Sequence, residues 1–371
     1  MPNRTDYFFV EGKMEIDKES GSKGVVPVCF NEFGTLLESK KGKSAAIFAH
    51  AVPDPDAIGS MMAVRWMLEK AGIEATAFFE GVVSHPQNRA LVNLLDPGMI
   101  PVEEYNSKEY DFHILVDSVP ANAGTGDFEI NFDLVVDHHR EIPNGGFDGI
   151  FINLKAGSCC ATVYHLIQFL GLTFEDDNDN DSKVATAIMV GISTDTESLM
   201  SDDATNLEFD AWAELFEFRN HNFIKKIIHW ERPKYWIDHE AEAVKNAVVY
   251  DGVGIVGLGI IPARHRDIIS DMADQMVTWE DVNTAVAFAV VDGDRLEGSV
   301  RSLNTSLIVS DLCKELAGKH GRGGGKQGKG AYLYDLAGGS IDEDDDEETR
   351  NDTWELYNKK EIKRIQRIMA K

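Results

Sequence analysis

AAIFAHAVPDPDAIGSMMAVRWMLEK, residues 45 to 70, is the stretch that decides the fold. Its first five residues are apolar, too few for a helix and closed by a polar turn, so they read as a buried strand. From about Ala57 to Lys70 the apolar residues recur at helical spacing, and Pro53 and Pro55 hold the turn between. A buried strand passing through a short turn into a helix opens an α/β layer built on a mostly parallel sheet. The pattern continues outward: IEATAFFEG (73–81) reads as a second strand, and FHILVDS (112–118) and DLVVDHH (133–139) are apolar runs that end in acidic or histidine residues.

Helical patterns follow at about 158 to 171, 182 to 193 and 203 to 219. A tryptophan-containing helical stretch from about His221 to Val249 reads as a connector. The alternation then restarts with VGIVGLGII (253–261) as a strand, RHRDIISDMADQM (264–276) as a helix, and TAVAFAVVDGDRLEGSVRS (284–302) as a hairpin turning near Asp292-Gly293. SLIVSDLCKELAGKH (306–320) is an amphipathic helix ended by a glycine cluster. The expected fold class is α/β, a mostly parallel-sheet catalytic domain with a second, smaller α+β domain. The expected boundaries are 1–225 for the catalytic domain, 226–250 for a helical connector and 251–371 for the second domain. The last carries an acidic run, Asp342 to Glu348, expected to be solvated and disordered, and a basic C-terminal helix over DTWELYNKKEIKRIQRIMAK.

The 371 residues are enough for two cores that need no disulfide or metal staples. At 43% hydrophobic and 27% charged, the composition is that of a globular chain. No apolar run reaches the roughly 18 residues of a membrane span, and the N-terminus lacks an export signal, so cytoplasm is the expected location. Cys29, Cys159, Cys160 and Cys313 form no C-x-x-C pair and read as reduced core thiols. A formal net charge of −27 argues against long nucleic acid, because such binding rests on a basic surface that releases counterions. A short anionic ligand would need local positive charge or a bound divalent metal.

The densest chemical signal is HAVPDPDAIGS (50–60), where a histidine and two carboxylates lie on a turn between strand and helix. Imidazole nitrogen with hard carboxylate oxygen suits Mn²⁺, Mg²⁺ or Fe²⁺ better than a thiolate-preferring metal. Taken alone, Asp56 as a helix cap and His50 as a strand-end residue is a serious alternative. But Asp117 ends the next run, Asp137, His138 and His139 end another, and VATAIMVGISTDTESL (184–199) carries an apolar helix into Asp195. Four strand or helix ends all bearing His or Asp make the bland account hard to sustain, and ligands of open α/β sheets gather at such ends.

These motifs, in this order over most of the first 220 residues, closely resemble the DHH phosphoesterase family. HAVPDPDAIGS resembles its first motif, Asp117 its second, Asp137-His138-His139 the motif that names it and Asp195 its fourth. The resemblance implies two divalent metal ions, manganese first with Mg or Fe as alternatives. His50 and Asp54 would hold one ion, Asp56, His138 and Asp195 the other, and Asp117 would bridge them. His139 would contact the scissile phosphate or support the site, with Asp137 behind it orienting an imidazole. Two such ions about 4 Å apart can activate a water, clamp phosphoryl oxygens and stabilise a leaving oxygen.

GSVRSLNTS (298–306), a helix and then GRGGGKQGKGAYL (321–333) resemble the family's associated C-terminal domain in its nanoRNase, pAp-phosphatase and exonuclease branches. Arg301 and Ser302 match its arginine-serine motif, and Gly323, Gly324 and Gly325 its glycine motif, giving a substrate-binding set completed by Lys326. The family continues that motif with histidine, whereas this chain has Lys326-Gln327-Gly328-Lys329-Gly330, which keeps positive charge but lacks a flat ring. A P-loop is excluded, since Gly330 stands where a magnesium-binding hydroxyl is required. The expected cleft between domains has metals on one wall and Arg301 with a glycine loop on the other.

The expected function is hydrolysis of short oligonucleotides, dinucleotides or 3′-phosphoadenosine 5′-phosphate. The rivals are a polyphosphate or pyrophosphate hydrolase, a single-strand exonuclease, and a nucleotide-binding sensor without catalysis. The expected partner is a short nucleotide, not long duplex DNA or a membrane, and a homodimer stays an open option. Gly157 to Thr162 opens a helix whose N–H groups could take a phosphate, although capping by Ser158 is the simpler account. Trp212, Trp230 and Trp236 read as packing, and His85, His113 and His221 as structural or exposed.

Overall fold

The computed structural model describes residues 28–139, 148–326, 328–336, 341 and 345–370. The chain divides into two units, Met1–Glu231 and Arg232–Lys371. In the first, the elements run α1 (Val28–Lys40), β1 (Ser44–Phe48), α2 (Pro55–Lys70), β2 (Glu74–Phe79), α3 (Pro86–Leu95), β3 (Ile100–Pro101), β4 (Phe112–Val116), β5 (Leu134–Val136), β6 (Ile150–Ile152), α4 (Cys159–Phe169), α5 (Asp179–Asp195), α6 (Asn206–Leu215) and α7 (His221–Ile228).

The six strands form one parallel sheet in the order β3-β2-β1-β4-β5-β6. Its strands read as unbroken apolar runs because both faces are covered. Ile47, Ile114, Val116 and Leu134 pack under α2, α4 and α5. Phe48, Phe78, Leu115 and Val135 pack on the opposite face against Val102, Tyr105 and Phe132, from the irregular segments flanking β4. From β1 the chain moves outward to β2 and β3, then returns to lay β4 on the other side of β1. The point where strand order reverses, between β1 and β4, is where such sheets open a crevice at their carboxyl ends.

The second unit runs α8 (Lys234–Asn246), β7 (Val248–Tyr250), β8 (Val253–Ile261), α9 (Asp267–Met276), β9 (Thr284–Val291), β10 (Arg295–Ser302), α10 (Val309–Ala317), β11 (Arg322–Lys326), β12 (Lys329–Asp335) and α11 (Glu347–Met369). Its sheet has the order β11-β12-β10-β9-β8-β7, with β8 and β9 parallel and every other pair antiparallel. Asp292 and Gly293 turn the β9–β10 hairpin with φ of 48° and 77°, the left-handed pair that a tight hairpin requires. One face of the sheet carries Val286, Phe288, Leu296, Val300 and Tyr332, in one core with Leu312 and Leu316 of α10 and Ile365 of α11. Among the described residues no helix is long and apolar enough to cross a membrane.

Three local expectations need correction. The helical stretch from His221 is two helices, α7 and α8, because Pro233 caps the second; the unit boundary falls between them and α8 packs on β8. The glycine cluster after α10 is not a loop but the edge strand β11. The acidic run is in part ordered: Asp346 caps α11 by accepting the Thr349 N–H, and Glu347 and Glu348 occupy the first turn, where the helix dipole favours negative charge. Residues 342–344 of that run lie outside the described residues.

Candidate metal centre

Each of the six expected ligands stands at the end of an element of the first unit. Asp54 is the N-cap of α2: its Oδ1 accepts the N–H groups of Asp56 and Ala57 at 2.9 and 3.0 Å, so Oδ2 is turned toward His50, 3.9 Å from its Nε2. The cap is therefore Asp54 rather than Asp56. His50, just beyond β1, has Nδ1 2.9 Å from the Ala51 carbonyl, which can only accept, so that nitrogen carries the proton and Nε2 faces the cluster.

Asp56 is 1% exposed and held by a second helix. Its Oδ2 and Oδ1 accept the N–H groups of Cys159 and Cys160, at 2.7 and 2.9 Å, in the first turn of α4. Those N–H groups are thus engaged by a carboxylate of the chain itself rather than offered to a phosphate, while Ser158 caps the helix by accepting from Ala161. Gly59 and Gly191 make the approach of α2, α4 and α5 possible. A Cβ on Gly191 would lie 2.5 Å from the Cys160 sulfur and 3.0 Å from the Asp56 Cα.

Asp117 ends β4 with φ +52°, a left-handed backbone that costs a non-glycine residue roughly 1 kcal/mol or more and concentrates at functional sites. It is 3% exposed. Its Oδ2 lies 3.5 Å from His50 Nε2 and its Oδ1 3.4 Å from His138 Nε2, so the two oxygens face two different imidazoles. His138 Nε2 is also 3.3 Å from Asp195 Oδ2, at the end of α5, and 3.9 Å from Asp56 Oδ2. The side chains thus fall into two groups of potential ligands, His50/Asp54/Asp117 and Asp56/His138/Asp195, with Asp117 also close to His138 and His139. The segment after Asp195 is strained as well, with Glu197, Ser198 and Leu199 all at φ of 51 to 68°.

Asp117 Oδ1 and Asp195 Oδ2 are buried with no hydrogen-bond partner. A buried, unpartnered carboxylate oxygen is expensive, and four carboxylates gathered on two imidazoles repel one another. Divalent cations remedy both faults, and the donors fit: oxygen and imidazole nitrogen, without a soft ligand. Cys159 and Cys160 are nearby, but burial pushes both thiols well up. Cys159 directs its sulfur to the Val136 carbonyl and Cys160 to that of Asp56.

Electrostatics without a cation show what the cluster seeks. Burial opposes charging His50, yet Asp117 and Asp54 outweigh it and raise its pKa to about 9. Burial likewise opposes charging His138, but Asp117, Asp56 and Asp195 take it up to about 10. Burial pushes the Asp56 carboxyl up, Asp117 and Asp195 pushing the same way. The site draws positive charge, and protons fill in where metal would go.

His139 is placed differently. Its side chain is 48% exposed, and its Nδ1 lies 2.8 Å from Asp137 Oδ1, which also accepts the His138 N–H. Asp137 therefore orients His139 and not one of the ligand imidazoles, and that hydrogen bond raises the His139 pKa. Two supports carried no sequence signal: Asn153 donates to the His139 carbonyl, and Glu208 accepts the Gly157 N–H ahead of α4. Each is a long-range hydrogen bond made by a residue that reads as ordinary in one dimension.

In the second unit, Arg301 and Ser302 leave opposite faces of β10. Arg301 donates Nε and Nη2 to Asp274 at 2.5 and 3.0 Å and Nη1 to Ser299. Ser302 is buried, with its hydroxyl 2.8 Å from that of Thr284 and accepting the Asn304 N–H. A Cβ on Gly323 would collide with the Cys313 backbone of α10, so that glycine serves close packing, whereas a Cβ on Gly324 would meet open space. Gly325 pairs with Gly330 across the hairpin, and Lys326, at the end of β11, is exposed. The other singled-out residues are structural: Trp236 is buried and donates to Asp271, His85 caps α3, and His113 shares a hydrogen bond with Tyr105.

Residues 44–192, which hold five of the six clustered ligands and most of the helix leading to Asp195, match the model of the DHH family, N-terminal domain. An uncharacterized protein of Methanocaldococcus jannaschii is 27% identical over 291 residues, 78% of this chain and 58% of that protein, so the chain spans somewhat more than half of that relative. The crystal structure of an exopolyphosphatase-related protein from Bacteroides fragilis superposes with a TM-score of 0.64 at 15% identity, over 93% of this chain and 99% of that one, and shows the same fold. RecJ from Thermus thermophilus, in complex with Mn²⁺, matches at 16% identity with a TM-score of 0.47, over 90% of this chain and 55% of that one.

Proposed function

We propose that the chain is a DHH-type phosphoesterase of the nanoRNase and pAp-phosphatase kind, which hydrolyses short oligonucleotides, dinucleotides or 3′-phosphoadenosine 5′-phosphate with two divalent ions, manganese first. The observation that carries this reading is Asp117, a buried carboxylate whose two oxygens face His50 and His138 separately and whose Oδ1 has no hydrogen-bond partner. His50 and Asp54 would hold one ion, Asp56, His138 and Asp195 the other, with Asp117 between. When bound, two such ions supply water activation at neutral pH and offset charge on the phosphoryl group.

The chain's own residues supply the rest. The α2 and α4 termini fix Asp54 and Asp56 before any ligand arrives, so little ordering remains for the bound state. His139, fixed by Asp137 and half-exposed, offers Nε2 to a phosphoryl oxygen or to the leaving oxygen. The apolar seats of the sheet on both faces hold the strand ends rigid.

A manganese-supplemented assay on diadenylate and 3′-phosphoadenosine 5′-phosphate should show turnover that Asp117→Ala abolishes. Turnover that survives this substitution removes the two-metal assignment. The structural neighbour named as exopolyphosphatase-related makes polyphosphate the first rival substrate. Comparing phosphate release from polyphosphate with dinucleotide cleavage separates the two.

A further inference from the structure

The chain leaves β5 and β6 side by side at the metal centre. Val136 pairs with Ile152 in parallel register, and the two segments stay joined past the strand ends: Asp137 donates its N–H to the Ile152 carbonyl, and Asn153 donates Nδ2 to the His139 carbonyl at 2.7 Å. Carried forward, that register sets Lys155 beside His139. Asn153 Oδ1 accepts the Lys155 N–H at 2.8 Å, so one side-chain amide fixes both residues. Two residues on, the buried Glu208 holds the Gly157 N–H, and Cys159 and Cys160 hold Asp56. Lys155, between the buried Leu154 and Ala156, is thus the exposed point of a segment tied at both ends to the cluster.

Its backbone is left-handed, at φ +55°. Among the described non-glycine residues, that conformation occurs at Val52, Asp117, Lys155 and Glu197 to Leu199, all in the segments around the cluster, and otherwise only at four aspartates. Aspartate tolerates such a backbone through local hydrogen bonds; lysine has none to offer, so this side chain is kept at a cost. Charge suggests the reason. The six residues after each strand of the first sheet, as far as they are described, contain one lysine or arginine, Lys155. Two divalent ions would offset the four clustered carboxylates, but Glu197, Asp202 and Asp203 follow Asp195 and keep the surroundings acidic.

We infer that Lys155 is a further substrate-binding residue of the metal centre, whose ammonium takes a non-bridging oxygen of the substrate phosphate beside His139. The choice of ligand rests on the proposed phosphoesterase reading. Contacts that the ammonium keeps within the chain do not bar this, because an exposed lysine exchanges partners at little cost. A charge that meets substrate and transition state alike sets affinity rather than the rate of the bound step.

The test is calorimetric titration of the manganese-loaded full chain with adenosine 5′-monophosphate, with adenosine as the phosphate-free control. Lys155→Gln should weaken monophosphate binding about fivefold, the ceiling for an exposed charge pair, and leave adenosine unaffected. The deficit should shrink as salt rises, and Lys155→Arg should recover most of it. Lys41→Gln, ahead of the amino end of β1, should show none. Lys155→Gly removes the strain along with the charge: it should bind as weakly as Lys155→Gln yet melt no lower than wild type, whereas a lysine kept for packing would melt lower. In nucleotide turnover, KM should rise about fivefold with kcat nearly unchanged. No monophosphate binding by wild type, equal affinity in wild type and Lys155→Gln, or a loss that Lys155→Arg does not recover overturns the assignment. Wild type that binds the monophosphate through Lys155 but hydrolyses no nucleotide in manganese removes the phosphoesterase reading and leaves the binding residue standing.

Discussion

The molecule holds two charge clusters of opposite sign, and their contrast lies in depth. In the first unit, Asp54, Asp56, Asp117 and Asp195 converge on His50 and His138, with Asp56 and Asp117 almost wholly buried. In the second, Arg301, Lys329 and Lys326 are cross-strand neighbours on one sheet face, Lys326 exposed and the other two half-buried. Both set like charge beside like charge. Buried repulsion is poorly screened and demands a bound counter-ion of definite geometry, while surface repulsion is weakened by water and salt and demands only a loosely specified partner. The first cluster should therefore respond strongly to substitution and the second mildly.

The largest effect is expected from Asp117→Asn. The amide keeps the volume but removes the charge shared between two ligand groups, so turnover in manganese should fall by about a thousandfold or more. Thermal stability should fall too: against the effect of burial, His138 and His50 hold the Asp117 carboxyl well below the usual carboxylate range, so in EDTA the variant loses the charge that pairs two protonated imidazoles and should melt below wild type. Melting curves with and without manganese check both halves. A variant that melts above wild type in EDTA would mean that repulsion among the four carboxylates outweighs their attraction for the two imidazoles.

The second expectation concerns pH. With His50 raised to about 9 and His138 to about 10 by the carboxylates around them, a divalent ion must displace two protons below pH 9. Manganese affinity should rise with pH, by up to about a hundredfold per unit below 9 and more gently above. Without metal the sign reverses for stability. A histidine whose folded pKa is raised contributes stability fully present below its unfolded value of about 6.5 and lost as pH climbs through the folded value. Melting temperature in EDTA should thus fall between pH 6.5 and 10, while in manganese it should hold or rise.

The depth of the two clusters also explains which was legible in the sequence. Site residues stand where apolar runs stop: AAIFA at His50, FHILV at Asp117, LVV at Asp137-His138, and the apolar helix from Val184 at Asp195. A parallel sheet buried on both faces writes its strands as continuous apolar stretches, so their ends can be read along one dimension. The row of cations has no such signature. Lys329 is separated from Arg301 by a helix and a strand, and only register joins them. Gly323-Gly324-Gly325 read as a loop because glycine weakens strand propensity, and sheet pairing overrode it. β6 escaped notice because three residues, Ile150 to Ile152, are too short a run to show any period.

A third, smaller expectation splits the glycine motif by face. Gly323→Ala would drive a methyl group into the backbone of α10 at Cys313, where no flexible side chain can yield. A loss of about 1–3 kcal/mol is expected, read from chemical denaturation. Gly324→Ala meets open space on the face of the cationic row and should be neutral or stabilising by about 0.5 kcal/mol. Equal losses at both positions would mean that the alternation of faces along β11, and with it the common face of Lys326 and Arg301, is wrong.

The smallest expected effect bears most directly on how the surface cluster works. Asp274 grips Arg301 side-on through Nε and Nη2, the edge a phosphate would use, and its carboxylate is 49% exposed against 14% for the guanidinium. An anion approaching from solvent meets Asp274 before it reaches Arg301. Exposed ion pairs contribute at most about 1 kcal/mol, so displacing this one should weaken anion binding by no more than about fivefold. Asp274→Asn keeps the shape and one hydrogen bond while removing the competing charge. It should tighten tripolyphosphate binding in EDTA about two- to fivefold by the same ceiling, and steepen the salt dependence. If affinity falls instead, Asp274 holds Arg301 in its working orientation rather than competing for it, and the row owes one of its three cations to a neighbour that fixes it in place.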